Sequence, residues 1–206
     1  MLRKMGLGLA LVCTVGAGVF FMSSCGTAGD QPSPAALAPS PPQLERFLMR
    51  KGEQPGFRRV DRAETFTGVA AFVKDNGMTS ADARRLRSAG FISFMYQPTR
   101  GPRTDGLTNV ALFATAAGAR ADLANEQKRS NIIKQLPGAK IRRFTVPGIP
   151  GARGWTASTD EVHVGNVYWV QGRCMHVLGN QGPGPFAGPL STGAKAIYER
   201  TTRQCP

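Results

Sequence analysis

The chain is 206 residues long, 41% hydrophobic, and carries 26 basic against 13 acidic residues, a formal net charge of +13. That length supports one globular domain with a proper core rather than several. So large a positive excess favours anionic partners, such as phospholipid headgroups, acidic wall polymers or acidic glycans, unless it serves solubility alone.

Arg3 and Lys4 precede an uncharged run from Gly6 to Met22, a charged segment followed by an apolar one, which is the layout of an export signal. At 17 residues the run sits at the short limit for a membrane-crossing helix, and Gly6, Gly8, Gly16 and Gly18 weaken it as a permanent span. It ends in Met22-Ser23-Ser24-Cys25. This resembles the lipobox of bacterial lipoprotein precursors, an aliphatic residue, two small residues and a cysteine, with Met22 where the family usually has leucine. The resemblance implies that residues 1–24 are a signal peptide and that Cys25, acylated with diacylglycerol, becomes the mature N-terminus and the membrane contact. The alternatives are an uncleaved anchor and ordinary secretion with a free Cys25. All three place the rest of the chain outside the cytoplasm, which argues against nucleic acid as a partner. Without Arg3 and Lys4 the mature chain keeps 24 basic residues and a net charge of +11.

Residues 26–42 hold five prolines and one charged residue. With Cys25 they read as a tether, reaching ~50 Å as polyproline II or ~23 Å as a flexible coil. The folded domain should then occupy 43–206. A short helix is expected over 43–50, with Leu44, Phe47 and Leu48 on one side. Asp61-x-x-Glu64 has the spacing of a capping box, and Phe66, Val69, Ala70 and Val73 follow at helical intervals. Thr79-x-x-Asp82 opens another helix, on which Arg84, Arg85 and Arg87 form a basic cluster: an anion-binding face or a solvated helix surface.

The period then changes to two. Residues 91–97 and 107–114 read as strands joined by a hairpin loop carrying Arg100 and Arg103. A helix follows from Thr115 as N-cap, its apolar stripe fading at Gln127 and resuming at Ile132 and Ile133, with a break near Ser130. Four strands are expected over 140–146, 152–158, 166–170 and 173–178, the first carrying Arg142 and Arg143 as further candidates for anion binding. A glycine–proline loop leads to a last helix through Leu190, Ala194, Ile197 and Tyr198. The connections are too short for parallel crossovers, so the pattern gives an α+β fold: an antiparallel sheet of about five to six strands with helices packed on one face.

This order, with NVALFATAAGARADL and NVYWVQGRCMHVLGN as its strand-to-helix steps, resembles the extracellular sensor domains of PknH-type bacterial kinases and related PsbP-like lipoproteins. The likeness runs over residues 63–203 in layout, and the second disulfide of the sensor family has no counterpart. FTVPGIPGARGW also resembles a stretch of uncharacterised lipoproteins from high-GC Gram-positive bacteria, which implies location and no chemistry.

Cys13 is lost with the signal and Cys25 takes the lipid, leaving Cys174 and Cys205. In an oxidising compartment these make one disulfide, worth roughly 3–4 kcal/mol. Cys174, His176 and His163 fall short of the convergent set that zinc requires, so no metal and no cofactor is expected. No Gly-x-Ser-x-Gly elbow is present, and Thr192-x-x-Lys195 lacks the Ser-Asp-Asn and Lys-Thr-Gly elements that accompany such a pair in penicillin-interacting enzymes. Each histidine reads as a strand residue with a satisfied hydrogen bond, and Trp155, Tyr168 and Trp169 as sheet residues or a sugar-stacking platform. The leading expectation is a non-enzymatic binding or sensor-like domain with a concave pocket lined by apolar strand residues of the last third. Two others stand beside it: a basic module on anionic lipid or wall polymer, and an envelope hydrolase.

Overall fold

Four long strands with apolar residues on both of their faces set the architecture, because each face then needs its own cover. The computed structural model describes residues 41–128, 138–160, 162–202 and 205. The export signal, Cys25, the tether up to Ser40, and the expected break near Ser130 with Ile132 and Ile133 lie outside them. In chain order the elements are α1 (Pro41–Glu45), β1 (Arg58–Arg59), β2 (Glu64–Thr67), α2 (Val69–Asp75), α3 (Ser80–Ser88), β3 (Phe91–Gly101), β4 (Thr104–Phe113), α4 (Ala116–Lys128), β5 (Lys140–Phe144), β6 (Arg153–Ser158), β7 (His163–Gln171), β8 (Cys174–Gly182) and α5 (Ala187–Thr201).

The eight strands form one antiparallel sheet in the order β1-β3-β4-β8-β7-β6-β5, with β2 also on β3. The expected five to six strands understate it, because β1 and β2 are too short to show alternation. Tyr96, Asn109, Val177, Tyr168 and Arg153 line up across β3, β4, β8, β7 and β6, and the next residues of each strand point the other way.

Helices cover both faces, where one was expected. On the first, here the α4 face, Ala111, Phe113, Met175, Tyr168 and Val170 pack with Phe72 of α2, Leu86 of α3, and Ala119 and Leu123 of α4. On the α5 face, Val167, Trp169 and Leu178 pack against Leu190, Ala194 and Ile197. Val110, Leu112 and Cys174 continue that face under Leu44, Phe47 and Leu48. Adjacent residues such as Tyr168 and Trp169 therefore bury on opposite sides, and so the strands read as nearly continuous apolar runs.

Local rules hold where nothing tertiary competes. Thr79 and Asp82 exchange the two capping-box bonds, each at 3.1 Å, and Thr115 Oγ1 accepts from Gly118 N at 3.0 Å at the start of α4. Asp61-x-x-Glu64 is not a cap. Asp61 takes a left-handed φ of 61°, and Glu64–Thr67 pairs with β3 as a strand, so α2 starts only after Gly68. Phe66 gains ring contacts with Phe94 and Phe72 at 6.3 and 6.0 Å in this register, and that burial overrides its helical spacing. The expected hairpin loop shrinks to Pro102-Arg103, with Arg100 and Asp105 paired at 3.2 Å across it. β8 likewise runs through Gly179–Gly182 rather than stopping at Leu178.

Cys174 and Cys205 are joined as expected, with Cα atoms 6.0 Å apart. Both histidines are strand residues as expected, but His176 lacks the expected hydrogen bond. His176 is fully buried, stacked on Trp169 at 4.7 Å and in a T-shaped contact with Phe47 at 5.9 Å, and neither ring nitrogen has a hydrogen-bond partner. Burial, and secondarily the Arg200 charge, lower its pKa from 6.5 to about 3.

Arg200, near the end of α5, fixes the chain that enters the domain. Its guanidinium makes a two-pronged ion pair with Glu53, one bond at 3.0 Å, and donates to the carbonyls of Arg46 and, at 2.8 Å, Leu48. Glu53 also accepts from Arg50 N at 2.6 Å. Both charges are mostly buried, and breaking such a pair leaves the other uncompensated. Arg200→Ala should cost about 3–5 kcal/mol in denaturant unfolding and make residues 46–57 the first site of proteolysis. His176 is neutral in the folded state and protonates more readily unfolded. Its stabilisation is therefore complete above pH 6.5 and is lost as pH falls toward 3. Between pH 6.5 and 4.5 the wild type should lose about 2 kcal/mol more than His176→Phe, measured as unfolding midpoints at each pH.

Candidate functional site

Alternation places Gln97 and Thr99 of β3, Gly106 and Thr108 of β4, and Asn180 of β8 on the α5 face, one register step beyond its apolar part. Thr108 Oγ1 accepts from Met49 N at 3.1 Å, which brings the incoming segment over these strands. The same loop reaches β3 further along, since a Cβ on Gly101 would meet Gly56 O at 3.2 Å and the Phe57 ring at 3.3 Å. Gln54 is inserted between the loop, Leu178 and α5: a Cβ on Gly193 would lie 2.7 Å from Leu178 Cδ2 and 3.1 Å from Gln54 Cβ.

The result is a buried polar cluster under a loop. Gln54, Thr99, Asn180 and Gln97 are 0, 1, 3 and 4% exposed. Gln97 Nε2 donates to Asp61 O at 3.0 Å. Its Oε1, the Thr99 hydroxyl and both amide atoms of Gln54 and Asn180 have no hydrogen-bond partner among the described residues. Leaving a buried polar group unmade costs about 1–3 kcal/mol each, so six such atoms on these four residues, with Thr99 Oγ1 and Asn180 Oδ1 meeting over Gly106, are a feature that a purely structural role does not explain. Gly106 makes room for them: a Cβ there would sit 2.6 Å from Thr99 Oγ1 and 2.8 Å from Asn180 Oδ1. The set is uncharged and mixes donors with acceptors, and Leu178 of β8 packs in one apolar cluster with Leu190 of α5 and Phe186 just before it.

Of the apolar strand residues of the last third, which were expected to line a pocket, Val167, Trp169 and Leu178 are buried beneath α5. Nor do the candidate arginines share a surface. Arg84 and Arg87 are exposed on α3, whereas Arg85 is held between α3 and α4 in a buried ion pair with Asp122, with Asp82 3.8 Å away. Arg142 and Arg143 are both exposed on β5 but are successive residues opposite Thr156 and Trp155, and so point to opposite faces. Trp155 and Tyr168 share the α4 face and Trp169 lies on the other, so the three do not form one platform. Thr192 and Lys195 are exposed on α5, Lys195 reaching Glu199 at 3.7 Å. No group of three or more His, Cys, Asp or Glu among the described residues is placed to hold a metal ion.

Gln54, Gln97, Thr99 and Asn180 were not marked by any motif. Gln97 and Thr99 carried a signal, as polar residues in phase with the inward apolar positions of β3, but Pro98 and the glycines after it read as a loop.

No helix among the described residues is long and apolar enough to cross a membrane. No protein-family model matches the chain, and no curated protein matches it. Among solved structures the chain is similar to the extracellular domain of PknH from Mycobacterium tuberculosis. The TM-score is 0.50 at 12% identity, over 78% of this chain and 95% of that one, a likeness of fold that agrees with the layout read from the sequence.

Proposed function

We propose that the protein is an extracytoplasmic, lipid-anchored, non-enzymatic binding domain that takes a small ligand on the polar cluster of Gln54, Gln97, Thr99 and Asn180. The observation that carries this reading is the set of buried hydrogen-bonding groups without partners on these four residues. Sites that bind small molecules set a few such groups in apolar walls. The fold shared with an extracellular domain supports the location, as does the disulfide, which persists in oxidising compartments. Cys25 supplies the anchor, on the lipobox resemblance.

Two measurements on the expressed chain test this. Cys25→Ser should move the protein from the membrane fraction to the medium. A small-molecule extract of bacterial envelope should raise the melting temperature of the wild type and leave that of Asn180→Leu unchanged. An equal shift in both proteins would remove the cluster as the binding site.

A second reading rests on β5. Lys140, Ile141, Arg142 and Arg143 are all exposed on this edge strand, and Ile141 is the one exposed large hydrophobic residue among those described. Such a strand can lie on an anionic lipid or wall polymer. On this reading, co-sedimentation with anionic vesicles falls steeply with salt and is lost in Arg142→Glu/Arg143→Glu.

A further inference from the structure

The polar cluster is covered by a short piece of chain with its own mechanics. Residues 52–56 begin and end on glycines in the left-handed region, Gly52 at φ +86° and Gly56 at φ +79°. A Cβ on Gly52 would meet nothing within 4 Å, and one on Gly56 only Pro102 Cδ at 3.9 Å, so backbone conformation rather than crowding calls for glycine at both ends. Between them, Glu53 is paired with Arg200 and Gln54 is fully buried. The closed position is thus held by an ion pair on one side and opposed on the other by an amide that gains hydrogen bonds on reaching water. A ligand that satisfies Gln54 in place removes the opposition.

We infer that residues 52–56 are a flap that closes over a neutral polyhydroxyl ligand, a polyol or monosaccharide, held by Gln54, Gln97, Thr99 and Asn180. This rests on the binding reading of the same site and names its ligand class. A hydroxyl both donates and accepts, which suits a set in which the Gln54 and Asn180 amides offer donors and acceptors, the Thr99 hydroxyl either, and Gln97 Oε1 an acceptor. None of these four side chains is charged, and Glu53 and Arg200 neutralise each other at the flap, so an ionic ligand would be desolvated without compensation.

The test is calorimetric titration of the full chain, in a sugar-free detergent, with glucose, myo-inositol, gluconate and glucosamine. Saturable heat is expected with glucose or inositol and none with gluconate or glucosamine. Thr99→Val, which removes the hydroxyl and keeps the shape, should weaken binding about tenfold, and Gln54→Leu at least as much. Glu53→Gln should speed association and dissociation together by freeing the flap. Binding of gluconate or glucosamine as tight as that of glucose, silence with both neutral probes, or indifference to Thr99→Val in a protein with an unchanged melting profile would each overturn the inference. If these occur while the envelope extract still stabilises wild type and not Asn180→Leu, the ligand class alone falls. If the extract effect is also absent, the binding reading falls with it.

Discussion

One guanidinium holds the incoming chain to the outgoing one. Arg200 stands on the last turn of α5, yet every partner named for it lies between Arg46 and Glu53, about 150 residues earlier. It occupies two carbonyls left open where α1 ends and a carboxylate that would otherwise be buried alone. Arginine suits this place because its planar fork serves a carboxylate and backbone carbonyls together, which a lysine could not do. With that contact in place, Leu44, Phe47, Leu48 and Met49 are fully buried, and the α5 face of the sheet is closed from β3 to β7.

The two faces of the sheet are finished differently. The α4 face meets its helices through stacked and tilted rings, with Phe72 at 4.7 Å from Phe94 and 5.0 Å from Phe91, and a buried Arg85–Asp122 pair joins α3 to α4. The α5 face mixes apolar packing with groups that the packing does not satisfy: an unpartnered imidazole against Trp169, the amide of Asn180 further along β8, and the amide of Gln54 in the loop after α1. Local satisfaction of buried polar groups is the norm in stable folds, and departures from it tend to mark function. Among the described strand residues the α4 face also leaves one such group, Asn109 Oδ1, so the faces differ in the number of unsatisfied groups, which is larger on the second.

What the sequence made legible is what local rules govern. The Thr79 capping box, the Thr115 cap, the positions of β3 to β8 and of α5, and the Cys174–Cys205 bond all follow from spacing and compartment. What it hid depends on partners far along the chain. Phe66 has helical spacing but pairs with Phe94, and Arg85 looks like a member of a basic cluster until α4 brings Asp122 to it. The one-face expectation failed because alternation in β7 and β8 is masked when both sides are apolar. The polar cluster was invisible for a related reason: Gln54 in a glycine–proline turn and Asn180 among glycines have the composition of loops, and only strand register and the Arg200 contact turn them inward.

The entry of the chain and its exit share one corner of the domain. Within a few residues of Pro41 the backbone is seated on Leu112 and Cys174, beside the disulfide that retains Cys205. A pull applied ahead of Pro41 would thus be met first by Phe47, Leu48 and the guanidinium of Arg200, and would reach residues 52–56 before any long strand. The hydrogen-bonded ladder of the sheet would bear no load until that corner had given way. In mechanical terms that corner is a fuse ahead of the sheet, and the piece of chain that yields next carries Gln54.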